Sequence, residues 1–296
     1  MSEYLMYLAA GVTASLLPLR TLYWIARRIA AVHHFFDRTG RMAVRDNLRV
    51  IMGNSLEERE LKRAVKQTYT NFALYLAEFF AMPKLDRRYF DSHVDIKGLQ
   101  NVDAARERGR GVLVVSAHYS NWELGLAYFA LCGYPAYGIV APHANERVNN
   151  LFLKPRLAKG VRVISTKNAI EEGYEALRGN GILCMLGDRV TTKGGMATLF
   201  FGRSTTFPKG PAKFALSAHA PVVTAYIIRH PDYRFTITFD EPIYTDAMAD
   251  DMESLTALMT AYTHRLENYI RRDPTQYGVF YRVWKNADSP VRGVQN

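Results

Sequence analysis

Apolar residues recur along this chain with two different periods, and the change between them divides it. Up to about residue 80 the spacing is helical and predicts helices at about 3–16, 20–35, 41–52 and 57–80. The last of these has Ser55 as a candidate N-cap, with Glu58 three positions on. After Pro83, short β-branched runs alternate with helical stretches. The runs predict strands at 93–97, 112–117, 136–140, 161–164, 182–186, 222–228 and 235–239. Helices are expected between most of them, at about 99–107, 121–131, 145–158, 168–178 and 210–218. A long helix at 250–272 and a short one after Pro274 close the chain. Short apolar strands separated by helices imply an α/β fold, with a mixed, mostly parallel central sheet flanked by helices. No repeat, low-complexity tract or Ser/Gly linker intervenes. The expected organisation is a helical region at 1–80 joined to an α/β core at 81–296 in one continuous domain.

The run Val112–Ala117 reads as a buried strand that stops at His118, where a helix begins. A histidine at the C-terminal end of such a strand stands at the rim of the sheet, where α/β proteins bind ligands. Glu123 follows five positions later and invites two readings. It can fold back to orient the imidazole, giving a general-base dyad able to take a proton from a hydroxyl. It can also complete a capping box with Ser120, satisfying backbone donors at the helix start. Ser116 and Ser120 raise a serine nucleophile as an alternative, but the Gly-x-Ser-x-Gly elbow is absent.

Asp188 and Arg189 also follow a predicted buried strand, so they can meet His118 on one sheet edge. Arg189 suits bidentate phosphate binding, oxyanion stabilisation or an ion pair with Asp188; phosphate is the favoured reading. Asp188 is expected to position Arg189. The Gly-rich stretch 191–195 leads to Phe200, Phe201 and Phe207, bracketed by Lys193, Arg203, Lys209 and Lys213. The Walker pattern is missing, and a lipid phosphate near Lys209 and Gly210, at the start of the 210–218 helix, fits better than a nucleotide. The three phenylalanines can equally be ordinary core.

Composition narrows the partners. The net charge of +10 asks for an anionic one, namely nucleic acid, acyl-carrier protein or a phospholipid surface. Arg20, Arg27, Arg28, Arg38, Arg41, Arg45 and Arg49 interleave with Tyr23, Trp24, Phe35 and Phe36, which suits a membrane interface or a solvated helix face. The sixteen residues 4–19 carry no charge, short of the ~20 that span a bilayer. An uncleaved anchor or interfacial helix at about 4–26 is expected, with the arginines holding the remainder on the cytoplasmic side. Cys132 and Cys184 lie in apolar runs and read as buried thiols, not as a disulfide framework or a zinc site. A nucleic-acid-binding protein is disfavoured, because helix-turn-helix, zinc and RNP patterns are missing.

His118-x-x-Asn121-Trp-Glu123-Leu closely resembles the block of the bacterial lipid A biosynthesis acyltransferases, within the glycerolipid acyltransferases that carry His-x4-Asp/Glu. Asn47-Leu48 with the helix ending near Glu78, Gly187-Asp188-Arg189, and Phe200-Phe-Gly202 with Phe207-Pro-x-Gly210-Pro-Ala212 resemble further family blocks in order. Arg272-x-Pro274-x-Gln276-Tyr277 with Arg282-x-Trp284-Lys285 resembles the C-terminal signature, although Thr275 and Val279 replace the usual glutamate and tryptophan. The resemblance implies an inner-membrane enzyme that moves a fatty acyl group from acyl-carrier protein or acyl-CoA to a glycolipid hydroxyl. His118 and Glu123 would be catalytic, and Asn121, Asp188, Arg189, Lys209, Gly210 and Arg282 would contact substrate. Beyond the acyl thioester as co-substrate, no cofactor or metal is implied. The same chemistry on a mannosylated phosphatidylinositol, an aminolipid or an aryl-polyene lipid is the alternative.

Overall fold

Four helices open the chain: α1 (Ser2–Leu16), α2 (Leu19–Phe36), α3 (Arg38–Met52) and α4 (Glu58–Ala81). The computed structural model describes residues 2–53, 57–189 and 194–284. The expected Ser55 cap lies outside them. Pro18 separates α1 from α2, because the residue before a proline is pushed out of helical backbone. Asp37 caps α3 by accepting from the Gly40 N–H at 2.8 Å, and the Tyr69 hydroxyl donates to it at 2.8 Å, fastening the cap to α4.

The remainder alternates as expected, with one added helix, α5 (Arg87–His93), before the first strand. Then come β1 (Val94–Lys97), α6 (Leu99–Arg106), β2 (Val112–Ser116), α7 (Trp122–Leu131), β3 (Ala136–Val140), α8 (Glu146–Leu157), β4 (Arg162–Ser165), α9 (Ala169–Arg178) and β5 (Ile182–Leu186). A hairpin that the sequence reading left as loop, β6 (Gly195–Phe200) and β7 (Arg203–Pro208), turns at Phe201 and Gly202, both with positive φ. The elements α10 (Gly210–Ala218), β8 (Val222–Arg229), β9 (Phe235–Phe239) and α11 (Met252–Ile270) follow, and a 3₁₀ turn at Pro274–Gln276 leads into the last described segment. Residues 191–193 of the Gly-rich stretch lie outside the described residues, as does Lys285.

The central sheet has the order β1-β9-β8-β2-β5-β3-β4; β8 and β9 pair antiparallel and every other pair is parallel. β2 lies mid-sheet and is buried along its whole length, which is why it reads as a continuous apolar run. Phe79 and Phe80 of α4 share one apolar cluster with Val112, Val114 and Ile227, so the N-terminal helices close one face of the sheet. Phe200, Phe201 and Phe207 are buried beside Tyr277 and Trp284, which settles them as core.

None of the described helices is long and apolar enough to cross a membrane. The stretch 4–26 is not one helix, and Leu22, Tyr23 and Ala26 are buried against the domain. At ~1.5 Å per residue α1 covers only ~22 Å, against a hydrocarbon core of ~30 Å. Instead α1 exposes Leu5, Met6, Val12 and Leu16, and α2 exposes Trp24, Ile29, Val32, Phe35 and Phe36 on the side opposite its buried residues.

Candidate active site

β2 and β5 are parallel neighbours with Ser116 opposite Leu186. Two residues further along each strand the chain leaves the sheet, at His118 and Asp188. The register therefore sets these side chains against each other despite seventy intervening positions. His118 Nδ1 lies 2.8 Å from Asp188 Oδ1, and the His118 backbone N–H donates to Asp188 Oδ2 at 2.9 Å. Burial alone would raise the Asp188 pKa; the His118 charge and its two hydrogen bonds outweigh burial and hold it below the usual carboxylate value. An ionised Asp188 can only accept, so whenever the imidazole is neutral Nδ1 carries its proton and Nε2 the lone pair. His118 packs edge-on against Trp122, with ring centroids 5.0 Å apart.

This pairing corrects the expected dyad. Glu123 does not fold back on His118. The Arg156 guanidinium of α8 takes it in a fork, Nε to Oε2 at 2.9 Å and Nη2 to Oε1 at 2.5 Å. Burial opposes the Arg156 charge, but Glu123 more than compensates and keeps its pKa above the usual value. The capping box is not formed either, since Ser120 has φ +53° and its buried hydroxyl has no partner among the described residues. Asp188, expected to position Arg189, uses both oxygens on His118. Arg189 instead lies over the Tyr281 ring, 5.4 Å from its centroid.

Two other expected substrate contacts are placed elsewhere. Asn121 is fully buried and donates to Glu78 Oε2 at 2.8 Å; Glu78 also receives a fork from Arg229 at 2.7 and 2.9 Å. That network ties the start of α7 to α4 and β8, a structural position closed to substrate. Arg282 pairs with Asp46 at 2.7 Å on the surface and does not line the cleft.

A cleft of about 1040 Å³ opens beside His118. Its cationic rim holds Arg189, Lys209 and Gly210, together with Tyr281. Val114, Gly125, Phe129, Ala225, Ile227 and Phe239 line an apolar arm between α7 and the sheet. Gly125 lets α7 pack closely on Ile227 beside this arm, since a Cβ there would lie 3.1 Å from Ile227 Cδ1. An aromatic end carries Tyr7, Tyr75 and Phe152, so α1 reaches the cleft. Cys184 also lines it and both cysteines are free; burial, with a smaller effect from Glu123, raises the Cys184 thiol pKa. Among the described residues, no group of three or more His, Cys, Asp or Glu side chains is arranged to hold a metal.

Gly278, Val279, Phe280 and Tyr281 of the last described segment form one wall of the cleft, where the sequence reading had expected only Arg282. Ser120 N–H donates to the Gln276 carbonyl at 2.8 Å and Gly278 N–H to the His118 carbonyl at 2.9 Å. Gln276 also pairs in both directions with the Arg229 backbone, at 2.9 Å each way. The resemblance marked Gln276 and Asn47, but spacing gave neither a role. Arg156 and Arg229 carried no motif at all.

A histidine held by a buried carboxylate, beside an apolar arm and a cationic rim, is an arrangement compatible with acyl transfer to a lipid. The chain matches the family model for bacterial lipid A biosynthesis acyltransferase over residues 1–286, and it belongs to that family. It is 24% identical over 276 residues to the lipid A biosynthesis palmitoleoyltransferase of Escherichia coli (strain K12), covering 91% of this chain and 86% of that protein. It is also 24% identical over 216 residues to the phosphatidylinositol mannoside acyltransferase of Mycolicibacterium smegmatis, covering 69% and 71%. The corresponding Mycobacterium tuberculosis (strain ATCC 25618 / H37Rv) protein is 26% identical over 163 residues, covering 53% and 51%. The chain is an acyltransferase, as its resemblance implied.

Proposed function

We propose that the protein moves a fatty acyl group from an acyl-carrier-protein or CoA thioester to a hydroxyl of a phosphorylated glycolipid of lipid A precursor type. It would do so at the cytoplasmic face of the inner membrane. His118 Nε2 removes the hydroxyl proton as the oxygen attacks the thioester carbonyl. The tetrahedral oxyanion collapses, the C–S bond breaks, and the thiolate takes the proton from the imidazolium to leave as a thiol. Asp188 fixes the tautomer and stabilises the imidazolium. No covalent enzyme intermediate is needed. Arg189 and Lys209 hold acceptor phosphate at the rim, and the apolar arm takes the acyl chain, where each buried methylene contributes ~0.8 kcal/mol.

The observation that carries this reading is the contact of His118 Nδ1 with buried Asp188 at the head of an apolar arm. The names of the relatives divide the acceptor between lipid A and phosphatidylinositol mannoside. The cationic rim fits the phosphate of either, and the longer match is to the lipid A enzyme. The test is mass spectrometry of products from the purified protein, hexadecanoyl-CoA or hexadecanoyl-acyl-carrier protein, and each acceptor separately. Gain of one acyl group on the lipid A precursor is expected. Acylation of the mannoside alone would move the protein to the alternative acceptor, and release of thiol without any acylated lipid would remove the transfer reading.

A further inference from the structure

Asn47 lies on α3, far in sequence from the His118 block, and is 3% exposed. Its side chain is committed to the backbone of the cleft wall. Nδ2 donates to the Tyr281 carbonyl at 2.8 Å and more weakly to the Val279 carbonyl at 3.4 Å, while Oδ1 accepts from the Val283 N–H at 3.0 Å. One amide therefore satisfies both donors and acceptors of a segment that has left regular structure. Without it those buried groups would lack partners, which costs more than the bonds themselves contribute.

The wall 277–284 is held at two separate places. Its first part is fixed by Gln276 on the Arg229 backbone of β8, and by the Ser120–Gln276 and Gly278–His118 bonds to the loop that carries His118. Its second part is fixed by Asn47, by the Thr205 hydroxyl donating to the Val283 carbonyl at 2.6 Å, and by the Trp284 ring N–H donating to the Phe200 carbonyl at 3.1 Å. Val279, Phe280 and Tyr281 of this second part line the cleft, and Tyr281 carries Arg189 on its ring. The anchors of the base and of the rim are thus different residues.

We propose that Asn47 is a positioning residue for the lipid acceptor: by holding the backbone of 279–283 it sets Tyr281, and through it Arg189, at the acceptor end of the cleft. This deepens the acyl-transfer reading and rests on it. Loss of the Asn47 amide should loosen the acceptor end while leaving the His118–Asp188 pair and the acyl arm in place.

The experiment compares wild type with Asn47→Ala and Asn47→Asp in the full chain. Asp keeps the acceptor oxygen for Val283 but loses the donor for Tyr281. The probes are hexadecanoyl-CoA as donor, and a lipid A precursor and phosphatidylinositol mannoside as acceptors, with acceptor binding also measured by calorimetry in detergent. For Asn47→Ala the acceptor KM and Kd should rise about tenfold, the effect of losing one to two buried hydrogen bonds. Acceptor kcat and the donor hydrolysis rate without acceptor should stay within twofold. Amide hydrogen exchange should quicken in 279–283 but not in 116–120, and Asn47→Asp should be at least as severe as alanine, because its carboxylate faces the Tyr281 carbonyl. Unchanged KM and Kd alongside faster exchange would overturn the proposal, as would a fall in kcat with affinity intact. If Asn47→Ala does not fold, Thr205→Val, which removes an independent anchor of the same segment, carries the comparison. A wild type that binds an acceptor without acylating it would end the acyl-transfer reading, and the Kd values would still decide the role of Asn47. A wild type that binds neither lipid would overturn the role of Asn47 itself.

Discussion

Asp188 grips His118 twice, Oδ1 to the ring Nδ1 at 2.8 Å and Oδ2 to the backbone N–H at 2.9 Å, so one carboxylate fixes both the ring and the loop that bears it. That pre-organisation is what a general base needs, since proton transfer depends on holding Nε2 toward the incoming hydroxyl.

From this pair, His118→Ala should lower acyl transfer by ~10²–10⁴ with little change in melting temperature. Asp188→Asn should also lower it strongly, because an amide N–H facing Nδ1 favours the wrong tautomer. Steady-state rates on both variants, with circular dichroism to check the fold, decide this. A folded His118→Ala protein with near-normal turnover removes the mechanism.

The sequence made the sheet largely legible, because the middle strands β2 and β8 are buried on both faces and so read as apolar runs. All seven strands of the central sheet were expected within a residue or two of their observed limits. The hairpin β6–β7 was missed because Gly194, Gly195 and Gly202 read as loop, although Phe200 and Phe207 alternate toward the core. The place of His118 at the end of β2 was legible. Its partner was not, because spacing along the chain favoured Glu123, five residues away, whereas the β2–β5 register placed Asp188 closer. Single-chain spacing carries no information on strand order, and strand order chose the dyad.

Glu123 should behave as half of an ion pair. Its side chain is 4% exposed and that of Arg156 11%, so Glu123→Gln strands a nearly buried guanidinium. Breaking a fully buried pair costs ~3–5 kcal/mol, and the open cleft beside Arg156 puts the expected loss toward the lower end. The melting temperature should fall by several degrees while the folded fraction retains turnover, and Glu123→Gln/Arg156→Gln should recover part of the loss. An inactive Glu123→Gln protein with wild-type stability would return Glu123 to the chemistry.

Asp188 also sets an acid limit on stability. Its folded pKa is depressed below the usual carboxylate value. A depressed carboxylate contributes stability that is present above the unfolded pKa of about 3.9 and is lost as pH falls through the folded value. The stability gap between wild type and Asp188→Asn should therefore hold from neutrality to about pH 4–5 and close below it. Urea midpoints across that range measure the gap; a gap that widens on acidification contradicts the assignment.

Gly125 should govern the length of acyl chain the arm accepts. A Cβ there meets Ile227 Cδ1 at 3.1 Å, a side-chain end that can yield slightly, whereas a branched side chain must project into the arm. Gly125→Val should shift preference toward shorter donors, with each methylene excluded from burial weakening long-chain binding by ~0.8 kcal/mol. Competition between dodecanoyl- and hexadecanoyl-CoA reads this directly. An unchanged ratio would mean that the chain lies elsewhere in the cleft.

Membrane attachment should depend on the exposed face of α2 more than on any spanning segment. Phe35 and Phe36 are 72% and 76% exposed and share that face with Trp24, Ile29 and Val32. Arg20, Arg28 and Arg38 are exposed on or beside this helix, and Arg28 lies 5.3 Å from the Trp24 ring centroid. An apolar stripe flanked by arginines is the pattern of a helix lying in the interface. The two terms differ in size. Each basic residue near an anionic surface contributes ~1 kcal/mol and is screened by salt. Burying one phenylalanine contributes ~1.5–3 kcal/mol and is not. High salt should therefore weaken vesicle binding without abolishing it, whereas Phe35→Glu/Phe36→Glu should reduce partitioning more than a hundredfold on the same arithmetic. Removal of residues 1–16 should weaken binding less, because the α2 face remains. Co-sedimentation with vesicles of phosphatidylethanolamine and phosphatidylglycerol, at low and high salt, separates these contributions. Complete release by salt alone, or wild-type binding by the double glutamate variant, would rule out insertion through α2.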